Sequence, residues 1–308
     1  MATRYSDDLY LLDLSFQGQH HAIASWLVRG ERGWIIIDCG PDTTRTELVA
    51  SVESAGLDMR DIERILLTHV HLDHGGGVGT LLREYPHLRV TIQAEAVQFL
   101  IDPARLIRSA GMSFGDKMER LWGEVIGFDA DLVDGIVAGE TVPGTSLRAY
   151  ATPGHTATHL SFLDSATGVL FAGDAAHARL PESALIVPTL APVELDFDAW
   201  HTTAQTMLGL QPSALAIPHF GWVADAQSHL EQVEERIAQR RAIAEELVRS
   251  PADVDVLTDL YAATTRAEYT AEGGEVDDKV ASLELAMPSY LGGQGMMRWF
   301  KVHGWFEG

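Results

Sequence analysis

Short apolar runs alternate with stretches of helical periodicity along the first two thirds of the chain. The apolar runs are bounded by turn-forming residues and are predicted to be strands, and the amphipathic stretches are predicted to be helices. This alternation is typical of a layered α/β protein. Strands are expected over Leu9–Leu14, Ile23–Arg29, Trp34–Asp38, Arg64–Thr68 and Arg89–Gln93, and helices over Thr43–Ala55 and Asp198–Leu210.

The last third of the chain is predicted to be helical. A long, heavily charged helix is expected over Asp225–Arg249, followed by helices over Val254–Tyr261 and Val276–Ala286. The final stretch from Tyr290 to Phe300 combines glycines with large apolar side chains, so it is expected to dock on the core or on a second subunit. We therefore divide the chain into a layered domain over residues 1–222 and a helical C-terminal extension over residues 223–308.

Four potential metal ligands stand within six residues, directly after the apolar run Ile65–Leu67. On an extended segment, His69 and His71 point to the same side. Asp73 and His74 fall where the chain turns toward three consecutive glycines. One run can therefore contribute to two separate sets of metal ligands. The alternative, a polar loop that is rich in histidine by chance, explains this arrangement poorly.

Three later fragments each place a single His or Asp just after a short apolar run. His155 stands in Pro-Gly-His-Thr, Asp174 in Gly-Asp-Ala and His219 in Pro-His-Phe-Gly. The adjacent glycine or proline lets the backbone turn sharply there. One such residue alone is more often a cap or turn residue. In order behind the histidine run, the three form a pattern with few competing explanations.

This ordered series resembles the hallmark of the metallo-β-lactamase superfamily, and the resemblance covers roughly residues 9–221. It implies a four-layer αβ/βα sandwich with the metals at one edge of two sheets. Asp38 matches the acidic residue that supports the metal loop from behind the ligands. The implied ligands are His69, His71 and His155 for one metal, Asp73, His74 and His219 for the second, and Asp174 bridging both.

The chemistry implied by this set follows from its charge. Two divalent ions with two carboxylates and a bridging hydroxide leave a centre of about +1, which lowers the pKa of bound water and attracts a developing oxyanion. Five imidazoles and two carboxylates suit zinc, with iron, manganese or cobalt as alternatives. We predict a dinuclear hydrolase in which the bridging hydroxide attacks the carbonyl of a small ester, lactone or thioester. Asp73 and Asp174 are the predicted catalytic residues, and Asp73 could also pass a proton to the leaving group.

Other activities of the same fold stay open as alternatives. The complete second trio of Asp73, His74 and His219 counts against a mononuclear iron oxygenase of the persulfide-dioxygenase type and against a non-catalytic scaffold. The motifs are similar to those of the glyoxalase II and lactonase branch. However, Ala175–Arg179 does not reproduce the basic and aromatic set that grips glutathione in glyoxalase II. A lactone or a small carboxylic ester is therefore at least as good a candidate as a glutathione thioester.

Composition and charge limit the classes of substrate and partner that the protein is expected to bind. The 308 residues carry a formal net charge of −22 and show no basic patch with interleaved aromatic residues, which disfavours a phosphodiesterase or nuclease and any nucleic-acid partner. No run is long enough to span a membrane, and the N-terminus shows no signal pattern. Cys39 is the only cysteine, so an intramolecular disulfide is impossible. We expect a cytoplasmic enzyme of small-molecule substrates.

Two regions outside the core that the resemblance covers are candidates for lining the substrate pocket. Residues 102–139 carry apolar side chains at helical spacing, either as substrate-covering helices or as part of the outer helical layer. The tail is expected to close the metal cleft or to form a homodimer contact. Phe16 is a candidate lid residue or a turn-packing aromatic, and His177 a candidate donor to substrate or a core histidine. His20 and His21 are not expected to be ligands.

Overall fold

The computed structural model of the chain describes residues 1–179, 183, 185–250, 253–271 and 284–306. The helix expected over Val276–Ala286 lies mostly outside these residues. Among the described residues, no helix is both long and apolar enough to cross a membrane.

Two sheets carry the fold. The first has seven strands in sequential order, and its last four strands run parallel to one another. The strands of the first sheet are β1 (Ala2–Ser6), β2 (Leu9–Asp13), β3 (Ala24–Arg29), β4 (Trp34–Ile37), β5 (Ile62–Leu66), β6 (Arg89–Gln93) and β7 (Val133–Ile136). The second sheet has the order β14-β13-β10-β9-β8. Its strands are β8 (Leu147–Ala151), β9 (Leu160–Asp164), β10 (Val169–Phe171), β13 (Ala214–Ile217) and β14 (Gly221–Val223). A small third sheet pairs β11 (Ala178–Arg179) with β12 (Ile186–Val187).

Helices cover the outer face of each sheet. The helices are α1 (Arg45–Ser54), α2 (Leu72–Gly75), α3 (Val78–Glu84), α4 (Val97–Ile101), α5 (Ala104–Phe114), α6 (Met118–Trp122), α7 (Phe197–Leu210), α8 (Ala226–Leu247), α9 (Val254–Ala271) and α10 (Ser289–Val302). In the chain, the first six helices lie between strands of the first sheet, α7 lies between β12 and β13, and α8 to α10 follow β14. The result is the expected four-layer αβ/βα sandwich with helical C-terminal segments.

The apolar run of β4 shows why four layers form. Successive side chains of a strand point to opposite faces. Ile35 and Ile37 enter the apolar cluster between the two sheets, whereas Trp34 and Ile36 enter the cluster beneath the outer helices. A strand that is apolar at every position must be covered on both faces, as β4 is.

The predicted strands and helices differ from the observed ones mainly at their ends. β5 ends at Leu66, so Thr68 lies in the loop and not in the strand. The predicted helix from Val254 continues to Ala271, ten residues beyond the expected end at Tyr261. β1 was not predicted because its residues are mostly exposed and polar and show no apolar run.

The C-terminal helices share their core with the second sheet. Met296, Trp299 and Phe300 of α10 lie in the same buried apolar cluster as Leu170 and Ile217 of the second sheet. Cys39 is buried and unpaired, as predicted. The carboxyl ends of several strands from both sheets meet at one edge of the sandwich, and this is where the predicted ligands lie.

Candidate metal centre

The seven implied ligands meet in one place although they lie up to 150 positions apart, from residue 69 to residue 219. Each follows a strand or a short turn: His69 follows β5, His155 follows β8, Asp174 follows β10 and His219 follows β13. Three groups of side chains could each hold an ion, with ligand atoms within 4.8 Å of one another. These groups are His69, His71 and His155; His69, His74 and Asp174; and Asp73, His74 and His219.

Outer hydrogen bonds fix the orientation of three of the imidazoles. The Nδ1 of His155 donates to the backbone carbonyl of Thr189 at 2.5 Å, and the Nδ1 of His219 donates to that of Ala22 at 2.8 Å. The Nδ1 of His74 faces the carboxylate of Asp38 at 2.9 Å and must donate to it, because a carboxylate only accepts. In the neutral form of each ring the Nε2 therefore keeps its lone pair, which is the form that binds a metal.

Several buried polar atoms of the site have no hydrogen-bond partner. They are the Nε2 atoms of His69, His74 and His219 and the Oδ1 of Asp174. The Oδ1 of Asp174 lies 3.3 Å from the Nε2 of His74 and 3.6 Å from that of His219. Buried polar groups in proteins are nearly always partnered. A cluster of unpartnered nitrogen and oxygen atoms of this kind is suited to binding divalent cations.

The electrostatics divide the histidines into two kinds. Burial, followed by the neighbouring histidines, lowers the pKa of His69 and of His155 well below the usual value, so both rings stay neutral. Burial also disfavours a proton on His74, but the carboxylates of Asp73 and Asp174 outweigh it and raise the pKa of His74 well above its usual value. A cation is thus favoured beside these two carboxylates, and an ion bound there would displace the proton of His74.

Asp38 holds the loop that carries the histidines. Its carboxylate accepts hydrogen bonds from the backbone N–H of Thr68 and from the hydroxyl of Thr68, both at 2.8 Å, as well as from His74. It is buried, and its φ of 53° lies in the left-handed region that Asp and Asn tolerate. This is the arrangement that the resemblance implied for Asp38.

The model of the family described as "Metallo-beta-lactamase superfamily" matches residues 20–248, about three quarters of the chain. The chain belongs to the metallo-β-lactamase superfamily. Its relatives include YobT of Bacillus subtilis, which is 28% identical over 67% of this chain and 87% of that protein. The metallo-β-lactamase fold-containing protein ST1585 of Sulfurisphaera tokodaii is 27% identical over 68% of this chain and 77% of that protein. A hydroxyacylglutathione hydrolase of Aeromonas hydrophila is 30% identical, over 48% of this chain and 44% of that enzyme.

Solved structures agree on the fold of this superfamily member. The archaeal superfamily protein ST1585 superposes with a TM-score of 0.66 at 21% identity, covering 96% of this chain and 98% of that chain. The superfamily protein TTHA1429 of Thermus thermophilus superposes with a TM-score of 0.69 at 20% identity, covering 98% of this chain and 95% of that chain. Both matches extend through the C-terminal helices, so this extension is part of a shared architecture.

His159 is a site residue that the sequence reasoning missed. The backbone N–H of Asp174 donates to the Nε2 of His159 at 3.1 Å, and the Nδ1 of His159 contacts the hydroxyl of Thr152 at 2.8 Å. Burial lowers the pKa of His159 to about 3, so it is a neutral acceptor that holds the Asp174 turn in place. Its spacing of four residues from His155 was a visible signal.

The side chains of Phe16, His20 and His177 are not part of the ligand cluster of this metallo-β-lactamase fold. Phe16 is fully buried and stacks on Trp122 with ring centroids 5.5 Å apart, so it is a turn-packing aromatic and not a lid. His177 is also fully buried, and its ring lies 4.6 Å from that of Trp200. It therefore faces the core and not the substrate. His20 contacts Asp13 outside the ligand cluster.

A cavity of about 160 Å3 opens directly onto the ligands. Helix α5, from the region 102–139, contributes Leu106 and Phe114 to its wall, and the tail contributes Met287 and Leu291. Residues 102–139 and the tail, the two regions whose position relative to the substrate the sequence did not decide, thus both line the pocket beside the candidate ligands. The homodimer contact of the tail stays a prediction.

Proposed function

We propose that this protein is a metal-dependent hydrolase that holds two divalent ions, for which zinc is the best-suited metal, and cleaves a small ester, lactone or thioester. The observation that carries the proposal is the set of buried, unpartnered nitrogen and oxygen atoms that lie together beside the cavity. An apolar chamber beside such a set suits a small organic substrate better than a polymer.

Each ligand has a role in this proposal. His69, His71 and His155 would hold one ion and Asp73, His74 and His219 the other, with Asp174 between them. Bound divalent ions would lower the pKa of water toward neutrality and so provide a nucleophile, and they would stabilise negative charge on the carbonyl oxygen. The carboxylate of Asp73 lies on the cavity wall, whereas His74 and His219 are buried behind it.

Asp73 is therefore the ligand placed to exchange a proton with the leaving group. Its pKa is held well below the usual range because the adjacent His74 and His219 outweigh the effect of burial. It is ionised at neutral pH and can accept a proton. Asp174 is buried and contacts His155 at 3.2 Å, so it serves as a ligand rather than as a proton carrier to the solvent.

The comparisons support hydrolysis as the reaction class. A hydroxyacylglutathione hydrolase of Aeromonas hydrophila and an atrochrysone carboxyl ACP thioesterase of Aspergillus fumigatus are 30% and 33% identical to this chain. The chain spans only 44% and 35% of the length of these two proteins. We carry over the hydrolysis of a carboxylic ester or thioester, and not their individual substrates.

Metal stoichiometry tests the proposal. Protein purified without chelator should contain two divalent ions per chain by elemental analysis. Asp174→Ala should lose or weaken both ions, and His219→Ala should lose one. His20→Ala, which changes an exposed histidine outside the cluster, should retain both. A single tightly held iron in the wild type, with unchanged occupancy in His219→Ala, would contradict the proposal.

The reaction is tested separately on a panel of lactones, thioesters, carboxylic esters and phosphodiesters. Hydrolysis should be confined to the carbonyl substrates and should disappear on metal removal and return on metal addition. Hydrolysis should also fall at acidic pH as the imidazole ligands take up protons. An acyl group trapped covalently on any side chain would refute direct attack by water.

A further inference from the structure

The cavity beside the metal ligands has an apolar wall with a single cationic side chain among the described residues. Apart from the ligands, the wall is formed mainly by side chains such as Phe99, Leu106, Phe114, Leu190 and Leu291. Arg105, on the first turn of α5, lines the same cavity. No other Lys or Arg of the described chain reaches this wall.

We propose that the substrate carries an apolar group ending in a carboxylate, and that Arg105 binds this carboxylate while the apolar group fills the cavity. This inference rests on the proposed hydrolase function and names the substrate class of the same site. Arg105 is thus a specificity-determining residue that takes no part in the bond cleavage.

Arg105 is available for this role. It is exposed, and within the described part of the chain it forms no ion pair. Its guanidinium carbon lies 5.6 Å from the ring centroid of Phe99, a cation–π contact that helps to position the group. An Arg held on an aromatic ring presents its donors in a fork that matches both oxygens of a carboxylate.

Two other polar groups of the wall, Glu194 and Tyr261, already have hydrogen-bond partners, and the serine and threonine hydroxyls of the wall are neutral. The carboxylate of Glu194 accepts a hydrogen bond from the backbone N–H of Ala157 at 3.0 Å. The hydroxyl of Tyr261 donates to the backbone carbonyl of Pro188. A carboxylate such as Glu194 repels an anionic group and a neutral hydroxyl does not distinguish an anion from an amide by charge, so among the described lining residues Arg105 is the side chain that can favour a carboxylate.

The size of the cavity limits the apolar group. An engineered cavity of about 150 Å3 holds one benzene ring, so a cavity of similar volume accepts a group of about six non-hydrogen atoms. An adipoyl group, which has a four-methylene spacer between its reacting carbonyl and its terminal carboxylate, is therefore a suitable probe.

The overall charge of the protein makes the test sensitive. With a formal net charge of −22, the field of the whole molecule repels an anionic substrate. A preference for the carboxylate must therefore arise locally. The metal ions are a second local source of attraction, and a variant of Arg105 separates the two because it leaves the ions in place.

The experiment compares substrates of equal shape that differ only in charge. The adipoyl thioester of N-acetylcysteamine carries a terminal carboxylate, and the adipamoyl thioester carries a neutral amide of the same size. A second pair places the carboxylate on the thiol side: hexanoyl thioesters of a neutral thiol and of a carboxylate-bearing thiol. The release of thiol is measured with the fully metal-loaded enzyme.

Wild-type enzyme should favour the charged member of one of these pairs in kcat/KM by about tenfold, since one charge-assisted hydrogen bond has about this effect. Arg105→Gln should abolish the preference mainly through KM while retaining its metal content. Arg108→Gln changes an exposed arginine of the same helix that does not line the cavity, so it should retain the preference. Raising the ionic strength should reduce the preference in the wild type.

The outcomes separate this inference from the proposed function. If neutral and charged thioesters react equally in both pairs, or if Arg105→Gln keeps the preference, the inference is wrong and the hydrolase function stands. If metal-loaded wild-type enzyme cleaves no ester, lactone or thioester, the proposed function itself fails.

Discussion

The hydrogen bond between Asp38 and His74 allows a sharp test of how the loop prepares its metal ligands. Asp38→Asn replaces the carboxylate with an amide of nearly the same shape. Asn tolerates the left-handed backbone conformation at this position, where φ is 53°, so the fold should accept the change. The amide oxygen can still accept the N–H of Thr68. Its NH2 group then faces the Nδ1 of His74, which also carries a proton.

Two facing donors cannot form a hydrogen bond, so His74 must lose the bond or move its proton to Nε2. In the second case the Nε2 no longer has the lone pair that would bind a metal. A hydrogen bond to a charged group contributes about 1.5 to 3 kcal/mol. Loss of a residue that orients a metal ligand typically costs about 10- to 100-fold in metal affinity. We therefore expect zinc to bind Asp38→Asn about 10- to 100-fold more weakly.

Competition titrations with a chromophoric chelator would measure this affinity, and denaturant unfolding of the metal-free protein would measure stability. Asp13→Asn is the matched control. Asp13 is also a nearly buried carboxylate at the end of a strand, and it accepts the backbone N–H groups of Ser15 and His21, away from the ligands. The control should bind metal normally. Unchanged metal affinity in Asp38→Asn, or equal losses in both variants, would refute the reasoning.

Three further variants test other parts of the structure. Burial lowers the pKa of His229 to about 4, so the folded protein holds this ring neutral while the unfolded chain protonates it below about pH 6.5. The free energy of unfolding should therefore fall by about 2 kcal/mol through this residue between pH 6.5 and 5. Urea unfolding of metal-free His229→Gln should show a correspondingly smaller pH dependence than the wild type. Gly173→Ala should destabilise the protein by about 2 to 4 kcal/mol and release metal, because Gly173 has a φ of 52° and a Cβ would lie 2.6 Å from the Nε2 of His159. An unchanged melting temperature and metal content would contradict this prediction. Leu291→Ala should raise KM for apolar substrates by up to about tenfold at constant metal content, whereas Val302→Ala, at a position 64% exposed on the same helix, should have no effect on KM.

The sequence alone indicated the fold family and the candidate ligands, and both indications rest on local chemistry. Strands that are apolar at every position, such as β4, require cover on both faces, and this points to a layered sandwich. The ligand series from His69 to His219 was recognisable because each ligand must follow a strand directly and needs a neighbouring residue that permits a sharp turn. These requirements concern only a few neighbouring residues, so they produce short sequence motifs that can be recognised without the structure.

The role of His159 was decided only by tertiary contacts. Its residue type and its spacing from His155 were visible, but its function depends on the backbone N–H of Asp174, which comes from a different strand. The same reason explains Phe16 and His177. Each could have faced the substrate, and the packing of Trp122 and Trp200 against them placed both in the core.

The grouping of arginines on the first sheet is a further feature that the sequence did not predict. No basic run occurs in the sequence, yet five arginines line one surface groove at β3 to β6. Several are neutralised in place, because Arg64 and Arg89 both contact Asp134 and Arg60 contacts Asp58. The grouped arginines are Arg29, Arg32, Arg60, Arg64 and Arg89.

The shape and charge of the substrate cavity also belong to the tertiary structure. Its wall combines Arg105 and Phe114 from α5 with Leu291 from α10, and these segments approach one another only because both helices pack beside the ligand edge of the sandwich. A local pattern predicts that a helix is amphipathic, but not which of its neighbours its apolar side will face. Candidate metal ligands can be identified from the sequence because most of them follow strand ends, whereas the shape of the substrate cavity arises from surfaces that meet only after folding.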